Sequence, residues 1–306
     1  MDEKQKIVVI VGPTASGKSD LAVELARKFG GEVVSADSRQ VYRGLDIGSG
    51  KITKREMRGV PHHLLDTASP RRTFTAHDFV VRGRKEIHQI SARGKVPIIA
   101  GGTGFYIDTL LGRVALPNIP ANLKLRKELE KKTPSQLLAL LRRKNPSRAR
   151  AIKKHNEQNN KRRLIRALEV ELSTPYPQKH YKGAPFINEV LWVGIAPPKE
   201  KLRQKISDRL IARLKKGMVA EAKRLHEKGL SYRRMNELGL EYRYLALFLQ
   251  SKLTREEMIE RLSAKIWQYA RRQMSYWRRN KDIRWFRPTK TGEREITTEV
   301  KKFLEN

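Results

Sequence analysis

The amino-acid sequence predicts an α/β fold, a parallel sheet flanked by helices, with an all-helical segment inserted into it. Three observations predict it. From Lys6 to about Gly104, short β-branched runs alternate with helical patterns, as a parallel sheet with crossover helices requires. Between Ile119 and Ile187 the strand signal disappears, and from Glu189 to Ile195 it resumes. The expected boundaries are 1–118 for the first part of the core, 119–187 for the helical insertion domain and 188–306 for the second part of the core.

Each element has its own warrant. Ile7 to Val11 reads as a buried strand, Glu32 to Ala36 as a second, and Val96 to Ala100 as a third. Between the first two lies a helix whose Leu21, Leu25 and Phe29 recur every fourth residue, stopped by Gly30-Gly31. Thr133-Pro134-Ser135-Gln136 is a capping box with proline at the first helical position, and it opens a helix from Leu137 to Lys144. Asn145-Pro146 breaks that helix, and another runs from about Asn160 to Ser173, before Thr174-Pro175. The remainder after Ile195 reads as helical. A second capping box, Thr254-Arg255-Glu256-Glu257, starts a long basic helix through about Asn280, with Met258, Leu262, Ile266 and Tyr269 on one face.

Composition narrows the partners. The 306 residues amount to about two domains, enough to bury a core without staples. Cysteine is absent, which excludes disulfides, thiolate metal sites and a cysteine nucleophile. A formal net charge of +34 favours a polyanionic partner, with nucleic acid ahead of an acidic membrane surface. Residues 119–187 carry 18 Lys and Arg against 5 Asp and Glu. The N-terminal segment is charged, and the apolar run after it is five residues long, too short for a signal peptide or a membrane span. A soluble, cytoplasmic protein with no membrane partner is expected. Without heptads or a large apolar surface helix, so is a monomer.

Gly12-Pro13-Thr14-Ala15-Ser16-Gly17-Lys18-Ser19 matches G-x-x-x-x-G-K-[ST] between an expected strand and an expected helix. This is a P-loop, and the core is expected to be P-loop NTPase-like. Its backbone amides and the helix N-terminus cradle a diphosphate or triphosphate, Lys18 neutralises the terminal phosphate, and Ser19 reaches Mg²⁺. The usual acidic strand end of an NTPase is missing, because Val96 to Ala100 runs into Gly101-Gly102-Thr103-Gly104. Carboxylates do follow other apolar runs, at Asp37 and at Asp66. Asp37 is expected outside the carboxyl end of the second strand, where open α/β sheets place their chemistry. A turn acid or helix cap is its plainer alternative.

Two basic faces stand out. Lys265 to Lys281 holds six cations, no acid and four aromatics (Trp267, Tyr269, Tyr276 and Trp277). Such a run either tracks a nucleic-acid backbone or covers a buried aromatic stripe. Lys161-Arg162-Arg163 with Arg166 forms the second. Adjacent His62 and His63 on an extended segment point to opposite sides, which favours a structural role over a metal site.

Taken together, these residues resemble the tRNA dimethylallyltransferase family (the IPP transferases). The resemblance rests on the P-loop and Asp37-Ser38-Arg39-Gln40-Val41-Tyr42, then Asp46-Ile47-Gly48 and Pro61-His62-His63-Leu64. Gly101-Gly102-Thr103-Gly104-Phe105-Tyr106, Asn160 to Val170 and Tyr269-Ala270-Arg271-Arg272-Gln273 continue it in order along nearly the whole chain. It implies transfer of a dimethylallyl group from dimethylallyl diphosphate to N6 of the adenosine 3′-adjacent to a tRNA anticodon. It also implies a Mg²⁺ cofactor and the anticodon stem-loop as partner.

By the same resemblance Asp37 is the catalytic carboxylate, Thr14 bonds near the reacting oxygen, and Arg209 reaches the diphosphate from the other side. The tRNA contacts it implies are Asp37, Ser38, Arg39, Gln40, Thr103, then Lys161, Arg162, Arg163, Leu164 and Ile165. On the late helix they are Arg271, Arg272, Gln273, Met274, Ser275, Tyr276, Trp277 and Arg278. The chain departs from the family in reading Ser49-Gly50-Lys51-Ile52 after Gly48, and Leu240-Glu241-Tyr242-Arg243 after Gly239. A small-molecule P-loop kinase and a nucleotide-switched RNA-binding protein stay open as alternatives, as does ATP or another prenyl donor at the P-loop.

Overall fold

The structure, a computed structural model, describes residues 5–117, 119–154, 156–173 and 188–306. Six parallel strands form one sheet: β1 (Gln5–Val11), β2 (Gly31–Ser35), β3 (His62–His63), β4 (Val96–Gly101), β5 (Asn188–Ile195) and β6 (Arg284–Phe286). They lie in the order β3-β2-β4-β1-β5-β6. β1 is central, paired with β4 from Val8 opposite Ile98 and with β5 from Gln5 opposite Asn188.

Its continuous apolar run follows from that position. Ile7, Val9 and Val11 enter the core on one face, whereas Val8 and Ile10 enter the core on the other. The first face is covered by α3 (Ala76–Ala92), α4 (Gly104–Leu110) and α9 (Lys199–Lys215) through α13; the second by α1 (Lys18–Phe29) and α14 (Lys290–Glu305). A short α2 (Lys54–Met57) precedes β3. Between α9 and α14 lie α10 (Met218–Glu227), α11 (Tyr232–Leu238), α12 (Leu240–Leu249) and α13 (Arg255–Trp277).

The chain forms two compact units, residues 1–113 with 186–306, and residues 114–185. The second is helical in its described residues: α5 (Leu123–Glu130), α6 (Pro134–Lys144), α7 (Pro146–Lys154) and α8 (Lys161–Ser173). Leu129, Leu137, Leu141, Ile152, Leu164 and Leu168 form its own core. The expected boundary at Ile187 and the Thr174-Pro175 stop lie outside the described residues.

Both expected capping boxes form. Thr133 caps α6 with Gln136 reaching back, and Thr254 caps α13 with Glu257. Gly30 ends α1 in the left-handed region. Asn145-Pro146 breaks one helix and starts the next, since proline suits the first turn of α7. Two strands escape sequence reading. β3 is two residues long and β6 three, too short for periodicity to register. Among the described residues no helix is long and apolar enough to cross a membrane.

Candidate active site

The P-loop joins β1 to α1 at the carboxyl edge of the sheet, where the chain's crossovers diverge to either side of β1. One pocket at this edge is lined by Thr14, Lys18 and Ser19 of the P-loop, Ser35 at the end of β2, Asp37 and Gln40 after it, His62 of β3, Gly101 of β4 and Arg209 of α9. The three residues expected to carry the reaction, Thr14, Asp37 and Arg209, therefore meet there despite their distance in sequence.

Lys18 donates from Nζ to the Pro13 carbonyl at 2.9 Å. Burial pushes its ammonium down to about 8, the like charge of Arg209 pushes the same way, and Asp37 opposes both. Arg209 is itself lowered, first by burial and then by Arg213, with Glu241 and Asp37 opposing. Its Nη2 donates to the Gly50 carbonyl at 3.0 Å. Two cations held this close in a half-buried pocket form a site built for an anion.

Asp37 is a turn acid that also lines the pocket. Oδ1 accepts from the backbone N–H of Arg39 at 2.8 Å and of Gln40 at 3.3 Å, fastening the turn after β2. Oδ2 accepts from no described protein donor, while the residue lines the pocket. Ser38 N–H donates to Thr103 Oγ1 at 3.1 Å, so the turn is tied to the end of β4.

Asp66 does not join them. No strand forms at Leu64-Leu65; Asp66 stands in a left-handed turn and pairs with Lys51 at 2.5 Å. The histidines split as the extended segment requires. His62 faces the pocket, and His63 bridges Glu32 at 2.7 Å and Glu86 at 2.9 Å.

The expected RNA faces need correction at four positions. On α8, Arg162 and Arg163 are exposed and Lys161 half-buried, but Leu164 and Ile165 are buried in the core of their unit. On α13, Arg271, Arg272, Ser275 and Arg278 are exposed, with Met274 and Tyr276 half-buried. Trp277 is buried against Trp192, ring centroids 5.9 Å apart. Gln273 is buried too, and bonds to backbone of the P-loop and of the turn after β4. The reason is helical period: in Ile266, Ala270, Gln273 and Trp277, steps of three or four put a polar residue on the inward stripe. Exposed arginines on the opposite stripe can reach phosphates; these four side chains cannot without leaving the core.

Sequence reading missed one further group. Glu221 of α10 accepts from the N–H groups of Asp46, Ile47 and Gly48 and from the Tyr242 hydroxyl. Arg213 of α9 donates to the carbonyls of Ile47 and Gly48 and pairs with Glu241 at 3.2 Å. Together they clamp the loop whose Gly50 carbonyl receives Arg209. Met218, Glu221 and Ala222 share the buried stripe of α10, the one signal that pointed to it.

The chain is similar to known proteins along most of its length. The IPP transferase family model matches residues 40–280. The tRNA dimethylallyltransferase of Thermomicrobium roseum is 39% identical over 299 residues, covering 95% of this chain and 89% of that one. A tRNA dimethylallyltransferase 2 of Treponema denticola is 40% identical over 288 residues, 91% of this chain and 93% of its own. Among solved structures, the tRNA isopentenylpyrophosphate transferase of Bacillus halodurans superposes with TM-score 0.73 at 33% identity, covering 99% of this chain and 97% of that one. A eukaryotic dimethylallyltransferase described as acting on tRNA gives 0.79 at 27% identity, over 97% of this chain and 77% of its own.

Proposed function

The chain belongs to the IPP transferase family, the tRNA dimethylallyltransferases, and from that premise we propose how its residues carry out the transfer. It is a tRNA-modifying prenyltransferase. A dimethylallyl group passes from dimethylallyl diphosphate to N6 of the adenosine 3′-adjacent to the anticodon, and diphosphate leaves. The observation that carries the residue assignment is the shared pocket of Thr14, Lys18, Asp37 and Arg209.

As the allylic C–O bond breaks, its electron pair goes to the diphosphate, where negative charge grows. The P-loop amides, Lys18 and Arg209 are already placed for that charge, so little reorganisation accompanies the reaction. Thr14 bonds near the departing oxygen. On the other side the N6 lone pair forms the new C–N bond. N6 is a weak nucleophile, because its lone pair is shared with the purine ring, and Asp37 orients the amine and takes its proton. The adenosine must leave the anticodon loop to reach this pocket, a smaller cost from a loop than from a duplex. Gln40 lines the pocket, with Ser38 and Arg39 in the same turn and Thr103 bonded to it. The exposed cations of α13 hold the stem-loop backbone, those of α8 being a further basic face on their own unit.

Mg²⁺ fits this site as an ion carried in with the substrate. Among the described residues no cluster of three or more metal-ligating side chains exists, and the P-loop offers the exposed Ser19 hydroxyl. Such a donor set suits an ion that keeps most of its ligands from phosphate and water. Ser19 would hold the ion, which would supply neutralising charge to the diphosphate. One chain holds every pocket residue, so the reading needs no second copy.

Mass spectrometry of tRNA nucleosides after incubation with dimethylallyl diphosphate and Mg²⁺ tests the activity. A prenylated adenosine is the expected product. Hydrolysis of ATP, or RNA affinity modulated by nucleotide without a modified base, would favour a kinase or a switch instead.

Lys18 gives the site a pH dependence. Its ammonium is charged below about 8 and neutral above, and a bound diphosphate favours the charged form. Donor affinity is therefore expected to fall as pH rises through about 8, by up to about tenfold per unit. Calorimetric titration of dimethylallyl diphosphate without tRNA, from about pH 7 to about pH 9.5, measures it. Lys18→Met should bind weakly and lose the slope.

A further inference from the structure

One stripe of α13 carries the arginines that face solvent; another lies against the P-loop and the turn after β4. Tyr269 approaches Thr103, Gln273 lies one turn on, and Tyr276 packs against Gly104 and bonds to Asp108 at 2.5 Å. Gln273 is the joint of this stripe. Its Oε1 accepts from the Thr14 N–H at 2.8 Å, and its Nε2 donates to the Gly102 carbonyl at 2.9 Å. Only 6% of it is exposed. A Cβ on residue 102 would stand 2.0 Å from Nε2, so the amide reaches this carbonyl because residue 102 is glycine.

The two bonds lead to opposite sides of the reaction. One ends on Thr14 in the P-loop, the side of the departing diphosphate. The other enters the turn after β4, where Thr103 N–H donates to Ala36 O at 3.2 Å and Thr103 Oγ1 holds Ser38, next to Asp37. The helix beneath is fixed by buried Met258, Leu262, Ile266, Ala270 and Trp277. A side chain with both ends bonded to backbone, on a rigid helix, sets a distance.

We propose that Gln273 is a positioning residue for the transfer: it spaces the P-loop from the β4 turn and so registers Thr14 against Asp37. The proposal rests on the transfer reaction assigned above. Its role is distinct from that of its neighbours Arg271, Arg272 and Arg278, which face outward, and it makes no contact with RNA. Reacting groups on separate loops lose about 100-fold in rate for misplacements near an ångström.

Two substitutions separate the arms of the brace. Gln273→Met keeps the length and removes both bonds. Gln273→Glu keeps the acceptor for Thr14 and loses the donor to Gly102. Gly102→Ala pushes on the same joint from the other side and serves if the helix variants fold poorly. The readouts are kcat and tRNA KM at saturating donor, tRNA Kd, and the fraction of sites that bind dimethylallyl diphosphate.

Gln273→Met should lower kcat about 30- to 100-fold per competent site, with tRNA Kd within about twofold of wild type. Gln273→Glu should fall between. Gly102→Ala should reproduce the loss, and the double variant should lose little more than either single one. Weakened tRNA binding with unchanged kcat would make Gln273 an RNA contact and overturn the proposal. So would unchanged kcat and Kd, or a rate loss that tracks only the fraction of competent sites. Absence of transfer by the wild-type enzyme in the same assay would instead sink the reaction itself.

Discussion

Asp37→Asn is expected to slow transfer by about 10²- to 10⁴-fold, the range for losing a positioned general base, while tRNA binding holds within about twofold. Asparagine is the informative choice because of the two jobs Asp37 performs. Oδ1 accepts from Arg39 and Gln40 N–H and fixes the turn after β2. An amide oxygen accepts those same bonds, so the turn survives and Ser38 stays on Thr103. The second oxygen becomes an NH₂ group, which cannot take the N6 proton and presents a donor to an amine that is itself a donor. Asp37→Ala removes the turn bonds as well and should add a loss of RNA affinity to the same loss of rate. Single-turnover kinetics with saturating donor, beside stem-loop Kd for each variant, divides the effects. An asparagine variant within about threefold of the wild-type rate would take proton transfer away from Asp37.

Legibility in the sequence followed length and locality. β1 and β4 were readable because each is buried on both faces and carries a mostly apolar run, and β2 because Val33-Val34 stands between Gly30-Gly31 and Asp37. The P-loop was readable because its chemistry is contiguous, eight residues between a strand and a helix. β3 and β6 were not, since their pairing energy comes from neighbours distant in sequence. α5 and α7 were masked by charge; each buries one or two residues, too few to make a stripe. Within the site, Asp37 and Lys18 could be argued from position alone, whereas Arg209 entered only by resemblance, since no local pattern distinguishes it from the other cations of α9.

Gln273, a tRNA contact by resemblance, is buried in the structure: the apolar face begun at Met258, Leu262 and Ile266, continued by steps of three and four, reaches residue 273. A polar residue on such a stripe is buried with partners or not at all.

The Asp46-Ile47-Gly48 loop shows the same rule with a larger energy attached. Glu221 is 4% exposed and accepts from Asp46 N–H at 3.0 Å, Ile47 N–H at 2.6 Å, Gly48 N–H at 2.8 Å and Tyr242 OH at 2.8 Å. Gly48 is required there, because a Cβ would stand 2.5 Å from the Tyr242 ring and hydroxyl. Glu221→Ala strands three backbone donors and a phenol at once. Each stranded group costs about 1–3 kcal/mol, but relaxation makes the four less than additive. About 3–5 kcal/mol is expected, the upper end for a single substitution that leaves several buried polar groups unpaired.

For a chain of this size that corresponds to a Tm lower by roughly 6–20 °C. Tyr242→Phe loses one bond of the four and should cost about 1 kcal/mol. The loss also reaches the chemistry. Loop 46–50 ends in the Gly50 carbonyl that accepts from Arg209 Nη2 at 3.0 Å and from Gln40 Nε2 at 3.3 Å. A loosened loop frees Arg209 from the place where it meets the diphosphate, so donor affinity should fall in the fraction that stays folded. Calorimetric melting with donor titration below the transition reads both effects. A Glu221→Ala protein that melts within about 1 °C of wild type and binds donor normally would mean that Arg213, through the Ile47 and Gly48 carbonyls, holds the loop by itself.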